Sequence, residues 1–179
     1  MATAEDFDAF YAAAAPRLAG QLYLLTGDRD EARDCVQEAF ERAWLRWDAV
    51  RAMDEPEAWV RTVARRLAVS RWRRLRNATT AWGHREQLRP PSPDPPERSA
   101  DRMSLVAALQ RLPEAQRTAL VLHYVADLDV SGVAAQTGST VSAVKTRLSR
   151  GRQALAAQLA PVAMSDERGD GGRGGRVDA

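Results

Sequence analysis

Five prolines within seven positions constrain this 179-residue chain more than any other feature of its sequence. They occupy positions 90, 91, 93, 95 and 96. Proline lacks a backbone N–H and fixes φ, so such a cluster excludes helix and favours extended polyproline segments. Both flanking parts show helical periodicity, and we therefore predict an all-α fold of two small domains joined by a Pro-rich linker. The predicted bounds are 1–76 and 101–160 for the domains, 77–100 for a flexible linker and 161–179 for a disordered tail.

The clearest pattern in the second domain covers residues 128–155, LDVSGVAAQTGSTVSAVKTRLSRGRQAL. Val130, Val133 and Ala134 give a short first helix an apolar face, and Gly138 then breaks it. Thr140 suits the N-cap of a second helix, because its hydroxyl can accept an otherwise unpaired backbone N–H. A short helix, a Gly-containing turn and a second helix form the helix-turn-helix plan, in which the second helix enters the major groove.

The second helix of this motif has two distinct faces. Its predicted buried stripe consists of Val141, Val144, Leu148 and Leu155. The opposite face carries Ser142, Lys145, Thr146, Ser149, Arg150 and Arg152. No acidic residue lies between Thr140 and Arg152. An ordinary helical hairpin with a solvated basic face is the alternative, but the turn, the cap and the one-sided charge together favour DNA binding.

The first domain begins with two predicted helices. The first covers residues 4–25, with Pro16 as a kink or break, and the second follows a capping box at Asp28 and Glu31. This second helix is predicted to run to about Trp47, with an apolar face that includes Cys35 as a core residue. Its polar side consists of Asp34, Gln37, Glu38, Glu41 and Arg42.

Charge is distributed unevenly within this domain. Residues 1–57 contain thirteen Asp and Glu against six Arg, whereas residues 58–89 contain nine Arg against one Glu. The basic stretch belongs to a helix that starts at Pro56, a tolerated first-turn position. Arginines interleaved with Trp59 and Trp72 suit the binding of single-stranded nucleic acid. A solvated basic face over a Trp-anchored core is an equal alternative from these residues alone.

Several classes of protein are disfavoured by the composition. Cys35 is the single cysteine, which excludes an internal disulfide and argues against a metal cluster. The sequence shows no signal peptide and no long apolar run, so we expect a cytoplasmic protein without membrane insertion. It also shows no nucleotide-binding loop and no His/Cys or Ser/His pair, so we expect neither an enzyme nor a cofactor.

Three motifs in this order resemble the extracytoplasmic-function sigma factors of RNA polymerase. DEARDCVQEAFERAW (30–44) is similar to their polymerase-clamp-binding helix, and AWVRTVARRLAVSRWRR (58–74) is similar to their promoter-melting helix. The segment 112–155 resembles their C-terminal domain. The resemblance covers roughly residues 7–159 apart from the linker. It implies an alternative sigma factor that binds core RNA polymerase and promoter DNA and is held inactive by an anti-sigma factor.

The resemblance also implies three sets of site residues. The polymerase-binding set is Asp34, Gln37, Glu38 and Arg42. The set for the melted minus-10 element is Trp59, Arg61, Arg65, Arg66, Ser70, Trp72, Arg73 and Arg74. The set for the duplex minus-35 element is Ser142, Lys145, Thr146, Arg147, Ser149 and Arg150. The linker suits this arrangement, since 24 extended residues reach roughly 74 Å and a ~17-base-pair spacer measures roughly 58 Å.

The chain departs from the family pattern at a few positions. Arg66 stands where the family often has Asn, and Ser70 where it often has Asp. Two alternatives to a sigma factor remain at this point. One is a stand-alone helix-turn-helix regulator with an N-terminal dimerisation or sensor domain, and the other is an enzyme with a DNA-targeting domain.

Overall fold

The computed structural model describes residues 4–82 and 99–166, and within those ranges the chain forms eight α-helices and no strand. The helices are α1 (Ala4–Thr26), α2 (Arg29–Trp44), α3 (Trp47–Arg51), α4 (Pro56–Trp82), α5 (Ser99–Gln110), α6 (Glu114–Tyr124), α7 (Val130–Thr137) and α8 (Val141–Asp166). The first four form the first domain and the last four form the second. The prediction of an all-α fold is confirmed.

Helices α1 and α2 meet at a short turn whose residues explain both helix ends. Gly27 has φ +77°, a conformation that glycine adopts without steric cost. Asp28 then caps α2 by accepting the Glu31 backbone N–H at 3.0 Å, so this half of the predicted capping box is confirmed. The other half is not, because the Asp28 N–H donates to Thr26 Oγ1 at 3.2 Å. Helix α1 continues through Pro16, where a kink or break was expected. The prediction that α2 extends to Trp47 was wrong, because α2 ends at Trp44 and Trp47 begins α3.

The core of the first domain lies between α1, α2 and α4. Its fully or nearly fully buried side chains include Leu18, Leu22, Cys35, Val36, Ala39, Phe40, Val50, Val60, Ala64 and Leu67. Phe10 stacks on Trp47 with ring centroids 5.2 Å apart, and Phe7 meets Phe40 edge to face at 6.1 Å. Burying each large side chain contributes about 1.5–3 kcal/mol to folding, so this apolar cluster fixes the three helices relative to one another.

Two predicted boundaries were wrong. Helix α4 continues through residues 77–82, which were assigned to the linker, and α8 continues through residues 161–166, which were assigned to the disordered tail. Residues 77–82 contain neither proline nor glycine, so α4 can propagate through them, whereas α8 continues past Pro161. The five prolines, residues 83–98 and residues 167–179 lie outside the described residues.

The second domain contains the predicted helix-turn-helix. Asp129 caps α7 by accepting the Gly132 N–H at 2.6 Å, and Gly138 ends α7 in the left-handed conformation, with φ +64°. Thr140 caps α8 as predicted, because its Oγ1 accepts the Ala143 N–H at 3.2 Å. A Cβ at Gly151 would lie 3.1 Å from Leu120 Cδ1, so the absence of a side chain lets α8 approach α6 closely.

The predicted core of this domain was partly wrong. Val144 and Leu148 are buried as expected, but Val141, the first residue of α8, is 43% exposed. Tyr124 and Val125 are both more exposed than Val141. They lie where α6 ends, so no further turn covers them.

The two domains pack against each other through an apolar interface. Helix α1 contacts α5 and α6, and the buried side chains of both domains form one continuous cluster. Leu18 and Leu22 of α1 line the same small cavity as Val121 and Leu122 of α6. The sequence pattern had predicted the two domains but not this interface.

Candidate nucleic-acid and partner-binding surfaces

The polar side of α2 forms the first candidate surface, which we call the α2 surface: Asp34, Gln37, Glu38 and Arg42. Asp34, Gln37 and Arg42 are exposed. Glu38 accepts hydrogen bonds from Arg42 Nη2 at 2.6 Å and from Arg71 Nη2 at 2.7 Å. Partial burial acts to raise the pKa of Glu38, but the hydrogen bonds from the two arginines outweigh it and lower this pKa overall. Glu38 therefore links α2 to α4 as well as facing solvent.

An apolar patch borders the α2 surface and was missed by the sequence analysis. Trp44 is 49% exposed, with its ring 4.9 Å from that of Phe7. Leu45 follows at 82% exposure. Exposed large apolar side chains beside charged ones are typical of protein-binding sites. A run of apolar residues across the end of a helix is the sequence signal that could have identified this patch.

The minus-10 candidates on α4 separate into exposed and engaged side chains. Arg66, Ser70 and Arg74 are exposed and follow a four-residue spacing, which places them on one face of the helix. We call these three residues the α4 surface. Trp59 is half-buried against the core cluster. The side chains of Trp72 and Arg73 lie outside the described residues.

Two of the α4 arginines contact protein instead of solvent. Arg61 Nη2 pairs with Glu57 Oε1 at 3.1 Å, and its Nε donates to Gln21 at 3.2 Å, both within the first domain. Arg65 Nη2 donates to the backbone carbonyl of Gln136 in the second domain at 2.8 Å. The structure therefore does not bring Arg61 and Arg65 together with the exposed α4 surface.

The exposed side of α8 forms the third candidate surface. Ser142, Lys145, Thr146, Ser149 and Arg150 are all exposed, and we call these five residues the recognition face. Arg147 is only partly exposed, and its Nη1 donates to Ser139 Oγ at 2.6 Å. This bond fastens α8 to the turn between α7 and α8. Arg147 therefore differs from the other five minus-35 candidates, because it is less exposed and bonds within the motif.

Other kinds of site find little support in the described residues. No group of three or more His, Cys, Asp and Glu side chains within them is arranged to hold a metal ion. A cavity of about 540 Å³ lies between α1 and α2, and none of its lining residues is a carboxylate, serine, cysteine or histidine. Burial raises the pKa of the Cys35 thiol to about 12, with a further contribution from Glu31, so this thiol stays protonated.

None of the helices within residues 4–82 and 99–166 combines the length and apolar character needed to cross a bilayer.

Comparison with known sequences decides between the alternatives. Residues 10–78 match Sigma-70 region 2, and residues 102–155 match Sigma-70, region 4. The ECF RNA polymerase sigma factor EcfG of Rhodopseudomonas palustris is 32% identical over 148 residues, which cover 82% of this chain and 81% of that protein. The chain belongs to the extracytoplasmic-function sigma factors. As a member it is an alternative sigma factor, which directs promoter-specific transcription initiation by RNA polymerase.

Other comparisons agree that the chain is an extracytoplasmic-function sigma factor. SigJ of Mycobacterium tuberculosis is 32% identical over 157 residues, but the chain spans only 47% of its length. The sigma factor RpoE of Bartonella quintana, solved with the anti-sigma factor NepR, superposes with a TM-score of 0.76 at 25% identity and covers 87% of this chain and 98% of its own. CnrH, solved with the cytosolic domain of CnrY, shares the fold with a TM-score of 0.60 at 22% identity. The first domain is therefore region 2 and the second is region 4.

Proposed function

We propose that this sigma factor binds core RNA polymerase through the α2 surface, captures the melted minus-10 element with the α4 surface, and recognises the minus-35 element with the recognition face. The observation that carries this assignment is the recognition face itself, an exposed basic and hydroxyl-bearing side of α8 that a capped helix-turn-helix holds in position. Its role requires no bond chemistry, so the proposal includes no catalytic residue and no cofactor.

The recognition face has the chemistry that duplex DNA requires. Arg150 can donate two parallel hydrogen bonds to guanine O6 and N7 or hold a phosphate, and Lys145 can contact either kind of acceptor. Ser142 and Thr146 lie one turn apart near the start of α8, and Thr146 Oγ1 donates to the Ser142 carbonyl at 3.1 Å. Its hydroxyl oxygen keeps lone pairs that can accept a hydrogen bond from a base edge.

The α4 surface has the chemistry that a displaced single strand requires. Arg66 and Arg74 lie on the same side of α4 with Ser70 between them, so their guanidinium groups can follow consecutive phosphates. Base capture then depends on side chains that stack on or enclose an unpaired base. Trp59, near the start of α4, is half-buried and supplies one aromatic surface.

The α2 surface is proposed to meet the polymerase through both charge and apolar contact. Asp34 is exposed near the middle of α2, and Trp44 and Leu45 are exposed near its end. An apolar anchor bordered by charged groups is the usual composition of a binding hot spot. RNA polymerase and the chromosome share the bacterial cytoplasm, where we propose that this sigma factor acts.

The RpoE relative is bound to an anti-sigma factor in its solved complex. We propose a partner of the same class for this chain, because the likeness to RpoE extends over nearly the whole described structure. Co-purification with the chain after expression in its own cell, followed by release of sigma activity when that partner is removed, would test this proposal.

Run-off transcription with purified core polymerase tests the proposed function directly. Core polymerase supplemented with this chain should give a discrete product from its promoter, whereas core alone should not. The double variant Arg66→Ala, Arg74→Ala should lower the permanganate reactivity of melted thymines more than it lowers core binding. Arg46→Ala, which removes an exposed arginine outside the α4 surface, is the control. No product with the wild-type chain, combined with tight binding to promoter duplex without polymerase, would favour a stand-alone regulator.

A further inference from the structure

The cavity of about 540 Å³ between α1 and α2, which we call the arginine cavity, is lined by three arginines. Arg29 and Arg33 belong to α2, and Arg102 belongs to α5. No carboxylate among the described residues lines this space. Neither Arg33 nor Arg102 pairs with a carboxylate in the described part of the chain, unlike several arginines of the first domain. Both side chains therefore bring positive charge to the cavity that no described carboxylate neutralises.

The ring of Tyr23 brings two of these cations together. It is almost fully buried, and Arg29 Cζ lies 4.9 Å from its centroid while Arg102 Cζ lies 5.8 Å from the same centroid. A guanidinium within about 6 Å of an aromatic ring is attracted by the quadrupole of that ring. A Cβ on Gly20 would lie 3.8 Å from Arg102 Nη2, so this guanidinium lies against α1 at the wall of the cavity. One buried ring thus holds two cations from different helices beside the same space.

The rest of the lining suits a planar, weakly polar group. Small apolar side chains form much of it: Ala12, Ala15, Ala19 and Val36. Tyr11 is 42% exposed, and its ring is held by an edge contact with Phe40 at 4.8 Å between centroids. Exposed aromatic rings are the usual surfaces on which nucleic acid bases stack. Gln37 also lines the cavity, and its amide can both donate and accept hydrogen bonds at the edge of a base.

The size and the charge of the cavity together select a class of ligand. Small-molecule sites occupy roughly 300–1,000 Å³, so this volume suits a ligand much larger than a single phosphate ion. Guanidinium groups bind phosphate oxygens through paired hydrogen bonds, and three of them suit a ligand with several negative charges. We propose that the arginine cavity binds a nucleoside polyphosphate. Arg29, Arg33 and Arg102 hold its phosphates, and the base lies against Tyr11.

The charges outside the cavity disfavour a longer polyanion. Asp8 is exposed one turn before Ala12, beyond the part of α1 that lines the cavity. Asp34 is exposed on α2 and follows Arg33 directly. A nucleic acid strand that continued past the cavity would bring its phosphates close to these carboxylates, and like charges repel. A nucleoside polyphosphate ends within the cavity, so this inference goes beyond promoter recognition and does not depend on it.

Isothermal titration calorimetry of the complete chain with GTP and with ATP tests the proposal, and it requires saturable binding of at least one of them. Guanosine or adenosine lacks the phosphates, and inorganic triphosphate lacks the base. Each of these should bind at least roughly 10-fold more weakly, which corresponds to one well-formed contact of about 1.4 kcal/mol. A single-stranded tetranucleotide should not displace the bound nucleotide.

Substitutions in the cavity separate its cations from the net charge of the chain. Arg33→Ala with Arg102→Ala should lower nucleotide affinity roughly 10- to 100-fold, the effect of losing two charge-assisted hydrogen bonds. Arg46→Ala with Arg111→Ala removes two exposed arginines outside the cavity and should keep wild-type affinity.

A second variant fills the cavity without changing its charge. Ala12 is exposed on α1, so Ala12→Trp adds bulk at the cavity while leaving the core intact. It should also lower nucleotide affinity, whereas far-UV circular dichroism should remain that of the wild-type chain. An azido-purine derivative of the bound nucleotide should crosslink to Tyr11 or to its neighbours on α1, as located by mass spectrometry.

Three results would overturn the proposal. The first is that neither nucleotide binds, or that inorganic triphosphate binds as tightly as the nucleotide. The second is an equal loss of affinity in the cavity variant and in the control that lacks Arg46 and Arg111. The third is displacement by the tetranucleotide or crosslinking confined to α4 or α8, which would assign the binding to the nucleic-acid surfaces. None of these measurements requires polymerase, so a chain that gives no run-off product would contradict the proposed function and leave this site unaffected.

Discussion

Regions 2 and 4 both carry many arginines, but they use charge in opposite ways. In region 2, Glu57 lies between Arg17 and Arg61, and Glu38 lies between Arg42 and Arg71, so carboxylates join arginines from two helices. In region 4, the recognition face has no acid within its own segment, and its cations are exposed. The number of arginines is therefore a poor guide to function. An arginine paired with a carboxylate stabilises the fold, whereas an exposed arginine without such a partner is available to bind DNA.

Helix α4 shows both uses within one element. Arg61 follows Glu57 by one turn and pairs with it, whereas Arg66 and Arg74 are exposed. A helical pair at i and i+4 is readable from sequence. The bond from Arg71 to Glu38 joins residues 33 apart and required the structure. Substitutions that separate structural charges from binding charges therefore test the comparison most directly.

The largest expected effect separates the two sides of α8. Leu148 is nearly fully buried against α6 and α7, so Leu148→Ala should lower the free energy of unfolding by about 2–5 kcal/mol. Arg150→Ala on the exposed side should change it by less than about 0.5 kcal/mol. Chemical denaturation followed by circular dichroism measures both. Equal losses in the two variants would mean that the faces of α8 have been assigned incorrectly.

The next effect concerns the α2 surface. Asp34→Arg should weaken core polymerase binding by roughly 10- to 100-fold, because an introduced cation opposes a partner surface suited to an acid. Asp8→Arg makes the same charge change at an exposed position of α1 outside that surface. Binding of labelled chain to core polymerase, measured by anisotropy, should be unaffected in this control. A loss shared by both variants would indicate a general effect of net charge.

Arg150 is the third test, on the recognition face. If its guanidinium contacts a base, Arg150→Ala should cost holoenzyme binding about 1–3 kcal/mol and relax preference at one position of the minus-35 element. If it contacts phosphate, the loss should be uniform across sequences and the salt dependence should fall by about one unit. Binding to single-base promoter variants at two salt concentrations distinguishes these results. Unchanged affinity and preference would place a different face of α8 against DNA.

The smallest effect is the pH dependence of the α2–α4 ion pair. Glu38→Gln should lower the free energy of unfolding by about 1 kcal/mol near neutral pH, since the pair is partly exposed. The pKa of Glu38 is lowered in the folded chain, so its contribution is complete above the ordinary carboxyl pKa of about 4.3 and is lost as pH falls through the lowered value. When the free energy of unfolding is measured from pH 7 to pH 3, the values for the wild-type chain and for Glu38→Gln should converge at low pH. Glu41→Gln removes an exposed carboxylate of the same helix whose partner is the neutral Gln37, and serves as the control for the change of net charge.

Much of the fold could be predicted because its signals are local. The caps at Asp28 and Thr140, the turn at Gly138 and the exposed face of α8 each depend on residues within a few positions of one another. The helical extensions of α4 and α8 were missed because helix ends respond to weak local preferences. The exposure of Val141 was missed because periodicity identifies a face but not how far the neighbouring helix extends along it.

The interface between the regions could not be predicted from one sequence. Its ties join residues 71 and 86 positions apart, Arg65 with Gln136 and Gln110 with Leu24, and no periodic pattern encodes such pairs. Arg61 and Arg65 were grouped with the minus-10 set for the same reason. Their spacing matches the basic side of α4, but burial and distant partners decide which side chains remain exposed.

The separation of the two sides of α8 has an evolutionary consequence. The buried side of α8 packs against the other helices of region 4 through Val144, Leu148 and Gly151. The five residues of the recognition face lie on the exposed side of the same turns. Substitutions on that side cost little folding free energy, so selection can alter them almost independently of the scaffold. After gene duplication, two copies could diverge toward different promoters through a handful of changes in one helix while keeping a common fold.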